Sequence, residues 1–114
     1  LFCGLGMSVW FRVAALSGSS SIAAGAYGAH GLTVDPPLMK AYENGNRLHM
    51  LHSVMLAVCP MLRRPHLSGC LFLGGTAVFS GSCYFAALSN DRRNGRFAPI
   101  GGTALIVAWL SLLL

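Results

Sequence analysis

The chain has 114 residues, of which 54% are hydrophobic and only 10% are charged. Soluble domains carry roughly 25% charged residues, so this composition excludes an ordinary soluble domain and indicates lipid as the main solvent. The net charge of +5 comes from single or paired basic residues beside apolar runs. A nucleic-acid surface would instead need a basic stripe along one face, and we expect no nucleic-acid partner.

Charged residues divide the sequence into four uncharged runs. The first three runs end at Asp35, Arg63 and Asp91, and the fourth begins after Arg96. Four such runs predict an all-α integral membrane protein with four transmembrane helices in a compact bundle. We predict one domain over residues 1–114, with helices at about 9–30, 36–62, 67–88 and 98–114. The basic residues that we expect to contact lipid headgroups are Lys40, Arg47, Arg63, Arg64, Arg92 and Arg93.

The first predicted helix carries a row of small residues at four-residue spacing, Ser17, Ser21 and Gly25, beside a second row that contains Gly28. Small residues let helix backbones approach closely in lipid. The row could form a dimer interface or pack inside the chain's own bundle, and we favour packing inside the bundle.

The second predicted helix begins near Pro36, because Asp35 is a suitable N-cap and proline suits the first helical position. Lys40, Glu43 and Arg47 share one helical face, whereas His49 and His52 fall on roughly the opposite side. If the charges face water or headgroups, both histidines face the bundle, toward the first helix.

Glycines are frequent in the third and fourth predicted helices, where they are expected to mark close contacts between helices. The candidate close-packing residues are Gly74 and Gly75 in one helix and Gly101 and Gly102 in the other. Both pairs belong to the tetrapeptide Gly-Gly-Thr-Ala. This match is weak support for an internal duplication, because similar packing needs would produce it as well.

Three histidines are the strongest candidates for chemistry, because His30 closes the first helix while His49 and His52 lie at the start of the uncharged part of the second. If they converge, they could hold a metal ion or a haem. The alternative is a polar cluster with Ser53 that hydrogen-bonds between helices and holds no metal, and this is the interpretation that we favour. Tyr84 fits a membrane interface or a hydrogen-bonding core position equally well. We expect no cofactor.

No sequence motif indicates catalysis: the chain lacks a Ser-His-Asp order, a Gly-rich phosphate loop and an H-E-x-x-H pattern. We therefore expect a protein that is not an enzyme. A small transporter or proton path that depends on His52 is a further alternative, although no acidic residue lies inside an uncharged run.

Four blocks of the sequence resemble a known family: "GAYGAHGL", "NRLHMLHSVMLAVCP", "LFLGGTAVFSGSCYFAAL" and "APIGGTALIVAWLSLLL". In this order and spacing they are similar to the transmembrane protein 256 family, also called domain-of-unknown-function family 423. The resemblance covers nearly the whole chain from about Phe11. The positions that match the family's pattern are Gly28, His30, Gly31, His52, Gly75, Tyr84, Pro99, Gly101 and Gly102.

The resemblance implies a small four-helix membrane protein of bacterial inner membranes and, in eukaryotes, of mitochondria, with no established catalytic activity. Our leading hypothesis is a non-catalytic accessory subunit that packs against other integral subunits of a larger mitochondrial inner-membrane complex, such as a respiratory-chain assembly. The expected partners are these subunits and membrane lipids.

Overall fold

The computed structural model describes residues 5–114, with side chains from Val9 onward. Its four α-helices are α1 (Leu5–His30), α2 (Pro36–Val58), α3 (Pro65–Leu88) and α4 (Ala98–Leu110). Single 3-10 turns follow α2 and α4, and a third turn lies between α3 and α4. The described part of the chain contains no strand. Residues 1–4 of the predicted domain lie outside the described part.

Each helix packs against the helix before it, so that α3 lies between α2 and α4. The Cα atoms extend over 48 × 26 × 15 Å, and the bundle is therefore flat. α1 also contacts α3 near the start of both helices, where the ring of Trp10 covers Gly69. Beyond this contact, a groove lies between α1 and α3, over the surface of α2.

Four helix ends differ from the sequence prediction. The described part of α1 begins at Leu5 and not near position 9, and α4 ends at Leu110 and not at 114, while the other two ends lie beside prolines. α2 begins at Pro36 after Asp35, as predicted, but it ends at Val58 and not near Leu62. Pro60 supplies no backbone N–H for an α-helical hydrogen bond, and the chain continues as a 3-10 turn over Cys59–Met61. α3 begins at Pro65, slightly before the predicted start.

Among residues 5–114, two segments are long and apolar enough to cross a membrane by themselves: α3 and the stretch Arg92–Leu113. α1 carries a cluster of serines, but those at positions 19, 20 and 21 bond carbonyl oxygens of their own helix. Such internal bonds lower the cost of hydroxyl groups in lipid, where no water can satisfy them.

The apolar core lies where the start of α1, the end of α2, the start of α3 and the end of α4 meet. Its buried residues are Trp10, Ala14, Leu56, Cys59, Phe72, Leu105 and Ala108. Many large apolar side chains of α1 and α4 point outward instead. That outward surface is expected for helices in contact with lipid.

Candidate functional site

One face of α2 carries polar side chains toward α1 and α3. Tyr42, Asn46, His49 and Ser53 recur at alternating spacings of four and three residues, which keeps them on one side of a helix. The charged residues Lys40, Glu43 and Arg47 are exposed on another side, as the projection of the sequence predicted. α2 therefore separates a charged outer face from a polar inner face.

Three side-chain hydrogen bonds join the inner face of α2 to α1 in antiparallel register. They are the bonds from the Tyr42 hydroxyl to the Ala24 carbonyl, from Asn46 Nδ2 to the Ser21 carbonyl (2.7 Å), and between the Ser17 and Ser53 hydroxyls (2.6 Å). The bonds recur at intervals of one or two turns along both helices, so they act as a seam. We call this set the α1–α2 seam.

Small residues of α1 make room for the seam. Ser21 is 1% exposed. A Cβ atom at Gly25 would lie 2.9 Å from Asn46 Oδ1, and one at Gly28 would overlap the Tyr42 ring. The structure thus places the small residues of α1 against α2 of the same chain, where they admit long polar side chains.

Tyr84 of α3 is the centre of a polar network that extends from the seam. Its hydroxyl accepts a hydrogen bond from Asn46 Nδ2 (3.1 Å) and lies 3.0 Å from His49 Nδ1. Because an amide N–H can only donate, the phenol proton is free to bond His49 Nδ1. The Tyr84 ring also packs against Tyr42, with ring centroids 4.9 Å apart.

Sequence reasoning left Tyr84 between the interface and the core and did not single out Asn46. The structure places Tyr84 half-buried beside the inner face of α2, and Asn46 bonds both α1 and α3. The signal was available in the spacing, because Asn46 shares a helical face with Tyr42, His49 and Ser53.

His52 also points into the bundle, but from the side of α2 that faces α3 and α4. It is 3% exposed, its Nδ1 donates to the Leu48 carbonyl (2.7 Å), and its Nε2 accepts from Trp109 Nε1 (3.1 Å). An indole N–H can only donate, so His52 is a neutral imidazole in this arrangement. Its ring also packs on Phe72, at 5.7 Å between centroids. The expectation that His52 points toward the first helix was wrong.

His30 is exposed at the end of α1 and does not join the other two histidines. α2 runs without a break from Pro36, so His49 lies about 20 Å along the helix from its start, at 1.5 Å per residue. The proposed convergence at one depth was therefore wrong. Within residues 5–114, no group of three His, Cys, Asp or Glu side chains could hold a metal ion.

The candidate close-packing glycines behave differently from one another. A Cβ atom at Gly75 would lie 2.9 Å from Leu105 Cδ2, and one at Gly101 would overlap the backbone of Phe79. Gly102 has the Phe79 ring at 3.8 Å, which is ordinary contact. Gly74 was wrongly assigned to a close contact, because it is exposed and a Cβ atom there would meet nothing within 4 Å.

All basic residues predicted to contact headgroups are exposed. The four arginines of this set outside α2 lie in the two short connections at the ends of α3: Arg63, Arg64, Arg92 and Arg93. In the second connection, Asp91 accepts hydrogen bonds from the backbone N–H and the guanidinium of Arg93. These bonds hold the pKa of the Asp91 carboxyl below its usual value.

A groove of about 460 Å³ opens between α1 and α3, with His49 of α2 at its floor. Its remaining walls are apolar, and its polar lining consists of Ser17, Ser20, His49, Thr76, Ser80 and Tyr84. Thr76 is 4% exposed and its hydroxyl has no hydrogen-bond partner among the described residues. The groove thus brings the Tyr84 network to the surface of the bundle.

A family model described as "Protein of unknown function (DUF423)" matches residues 24–102, from the middle of α1 into α4. The chain belongs to this family. The resemblance noted in the sequence is thereby confirmed, and the matched range contains Asn46, His49, His52, Thr76 and Tyr84.

Relatives of this chain occur in a yeast and in bacteria. A UPF0382 membrane protein of Schizosaccharomyces pombe is 34% identical over 94% of this chain and 99% of its own length. A UPF0382 membrane protein of Staphylococcus epidermidis is 33% identical over 95% of this chain and 94% of its own. The relative YwdK of Bacillus subtilis is 29% identical over 93% and 94%, respectively. No solved structure matches the chain.

The chain is thus a membrane protein, and its described residues, 5–114, form an all-helical fold with four α-helices. The relatives are named as membrane proteins in both kinds of organism, and their names give no reaction or partner.

Proposed function

We propose that this chain is a non-catalytic accessory subunit that packs against other integral proteins in an inner-membrane complex. The membrane is the mitochondrial inner membrane in a eukaryotic cell and the bacterial inner membrane in a prokaryote. Relatives in a yeast and in bacteria support a membrane type that both possess. Both membranes can contain a respiratory-chain assembly, and such an assembly is the host complex that we propose.

The observation that carries the proposal is an outward-facing ridge of small residues on α3. Gly74, Ala77 and Gly81 recur at spacings of three and four residues and are all exposed. A Cβ atom at either glycine would meet nothing within 4 Å. Small residues on a lipid-embedded helix allow another helix to approach closely, which lipid tails do not require. We call these three residues the α3 ridge.

A groove lies on each side of the α3 ridge. The groove between α1 and α3 is lined by Ala77 and Gly81, and so is a second groove of about 500 Å³ between α3 and α4. The second groove is also lined by Phe85, Phe97 and Ile100. A partner helix seated on the ridge would insert its side chains into both grooves, as in close helix packing.

The polar groups of the bundle support a role in contact rather than in catalysis. Asn46, His52 and Tyr84 bond partners within the chain, and these bonds join helices together. Residues committed to such bonds serve the packing of the bundle. A small apolar bundle with an outward ridge provides contact surface for larger subunits.

The test is the native mass of the protein in membranes solubilised with mild detergent, combined with identification of its neighbours. We expect the chain to comigrate with other integral membrane proteins. Gly81→Leu should reduce this association strongly, because leucine would hold a partner helix away from the ridge. Ala26→Leu, a small-to-large change on the exposed face of α1, should leave it intact. A free monomer, or an assembly of this chain alone, would overturn the proposal.

A further inference from the structure

A third groove lies between α1 and α2 and shares no lining residue with the two grooves beside the α3 ridge. Its volume is about 480 Å³. Large exposed side chains of both helices form its rims: Phe11, Ile22, Met50 and Val54. Smaller residues form its floor, and they include Gly18, Ser21 and Ser53. We call this groove, with its raised apolar rims, the α1–α2 slot.

The polar groups on the floor of the α1–α2 slot are bonded within the chain. The Ser21 hydroxyl donates to the Gly18 carbonyl (2.7 Å). The Ser53 hydroxyl donates to the His49 carbonyl (2.7 Å) and pairs with Ser17. The rim side chains carry no charge and no hydrogen-bond donor. A ligand in the slot therefore needs no hydrogen bonds there, which favours a hydrocarbon chain.

The α1–α2 slot has the length of a lipid chain in one leaflet. It extends along α1 from Phe11 to Ile22, about 17 Å at 1.5 Å per residue. Half of the hydrocarbon core of a bilayer is about 15 Å thick. A partner helix fits less well, because a helix with its side chains is about 10–12 Å across and the large rims would hold it away from the floor.

The slot opens at a basic end of the bundle. Trp10 of α1 donates to His66 of α3 (3.3 Å), which places the start of α1 level with the start of α3. Arg12 therefore lies at the same end as Arg63 and Arg64, which immediately precede α3. The three acidic residues of the chain lie elsewhere, near the start of α2 or between α3 and α4: Asp35, Glu43 and Asp91. This end of the bundle is therefore attractive to anions.

Arg12 is the basic residue beside the slot. It is exposed and lies three residues before Ala15, a lining residue, so the two are neighbours on the surface of α1. Helical side chains lean toward the N-terminus of their helix, which directs Arg12 toward the membrane surface. Arg63, in contrast, already donates to the Leu114 carbonyl (2.9 Å). A phosphate above the slot would thus meet the guanidinium of Arg12, a group that binds phosphate oxygens well.

We propose that an anionic phospholipid binds here, with one acyl chain in the α1–α2 slot and its phosphate at Arg12. A zwitterionic lipid has the same phosphate and chains, but the positive charge of its headgroup is repelled by the basic end of the bundle. The site is separate from the α3 ridge and concerns the chain alone. Either proposal can therefore fail while the other stands.

The experiment is native mass spectrometry of the full chain in mild detergent, with phosphatidylglycerol and phosphatidylcholine of identical acyl chains. We expect one phosphatidylglycerol to bind in a saturable manner, and phosphatidylcholine to bind about fivefold more weakly. Equal binding of both lipids would overturn the proposal. A dimer that excludes lipid would also overturn it, because the slot would then hold a second copy of the chain.

Arg12→Gln tests the phosphate contact. It should weaken the binding of phosphatidylglycerol about fivefold, the equivalent of one arginine near an anionic surface. Arg92→Gln is the matched control, since it makes the same change of charge at an exposed position between α3 and α4. Equal losses in R12Q and R92Q would show a general effect of charge and contradict the assigned contact.

Ala15→Trp tests the position of the acyl chain. The indole ring should fill the α1–α2 slot and remove the saturable binding. Ala23→Trp adds the same bulk at an exposed position of α1 outside the slot and should retain it. Retention of binding in A15W, or its loss in both variants, would overturn the proposed site.

Discussion

The α1–α2 interface and the α3–α4 interface hold neighbouring helices together by different means. α1 and α2 are joined by the hydrogen bonds of the α1–α2 seam. α3 and α4 approach through glycines, with Gly101 against the backbone of Phe79 and Gly75 against Leu105. Lipid supplies no hydrophobic drive for helix association, so each pair must rely on hydrogen bonds or on close packing. This chain relies on hydrogen bonds at the α1–α2 interface and on close packing at the α3–α4 interface.

The largest expected effect tests the close-packed interface. Gly101→Ala should lower the free energy of unfolding in detergent by about 2–3 kcal/mol, because the new methyl group meets backbone atoms that cannot move aside. Gly102→Ala is the control, since its nearest neighbour is the Phe79 ring at 3.8 Å. Equal stability of the two variants would contradict a steric origin for the α3–α4 contact.

The hydrogen-bonded interface should respond to loss of Asn46. Asn46→Ala removes donors to the Ser21 carbonyl and the Tyr84 hydroxyl, and should cost about 1–2 kcal/mol. Asn44→Ala, at an exposed position of the same helix, should cost little. In a double-mutant cycle with Tyr84→Phe, the two losses should be less than additive, because both variants remove the same bond. Full additivity would show that the two residues act independently.

Helix α2 also reaches α4, and His52 tests this contact. His52→Phe fills a similar volume but leaves the Trp109 N–H without its acceptor, at a cost of about 1 kcal/mol. His30→Phe, at an exposed position, should be neutral within the error of an unfolding titration in detergent. If the two substitutions behave alike, the bond to Trp109 contributes nothing measurable.

The connection between α3 and α4 should show the smallest effect. Bonds from Arg93 lower the pKa of Asp91, so this carboxylate stabilises the fold above its usual pKa, and the contribution is lost as pH falls through the lowered value. Asp91→Asn should therefore reduce the small loss in unfolding midpoint between neutral pH and roughly pH 3. Asp35→Asn is the control, because the Asp35 side chain makes no capping bond. An identical pH response in D91N and D35N would show that the Asp91 carboxylate does not stabilise the fold in this way.

Sequence patterns predicted the number of helices and most of their ends, because charges and prolines act locally. The start of α2 at Pro36 follows from its own ring geometry. The periodicity of α2 also indicated which residues share a face. It could not indicate the helix that each face contacts, because His52 bonds Trp109 at a separation of 57 residues.

The glycines illustrate the same limit. Gly74 and Gly75 are adjacent in the sequence and equivalent by residue type, yet one faces outward and the other contacts Leu105. Successive residues of a helix differ by about 100° in direction, so the outcome depends on which side α4 occupies. That information belongs to the packing of the whole bundle. The outward glycines of the α3 ridge became meaningful only after the inner contacts were assigned.

The most direct test of the accessory role is photo-crosslinking in native membranes from a photoreactive phenylalanine analogue placed at position 85 or at position 27. Both positions hold an exposed aromatic side chain, so the analogue adds far less bulk than it would at a glycine of the α3 ridge. Phe85 lines the groove beside the ridge, whereas Tyr27 lies on α1. The proposal predicts crosslinks to another integral membrane protein from position 85 and to lipid alone from position 27. Crosslinks to lipid alone from both positions, or to a partner only from position 27, would contradict it.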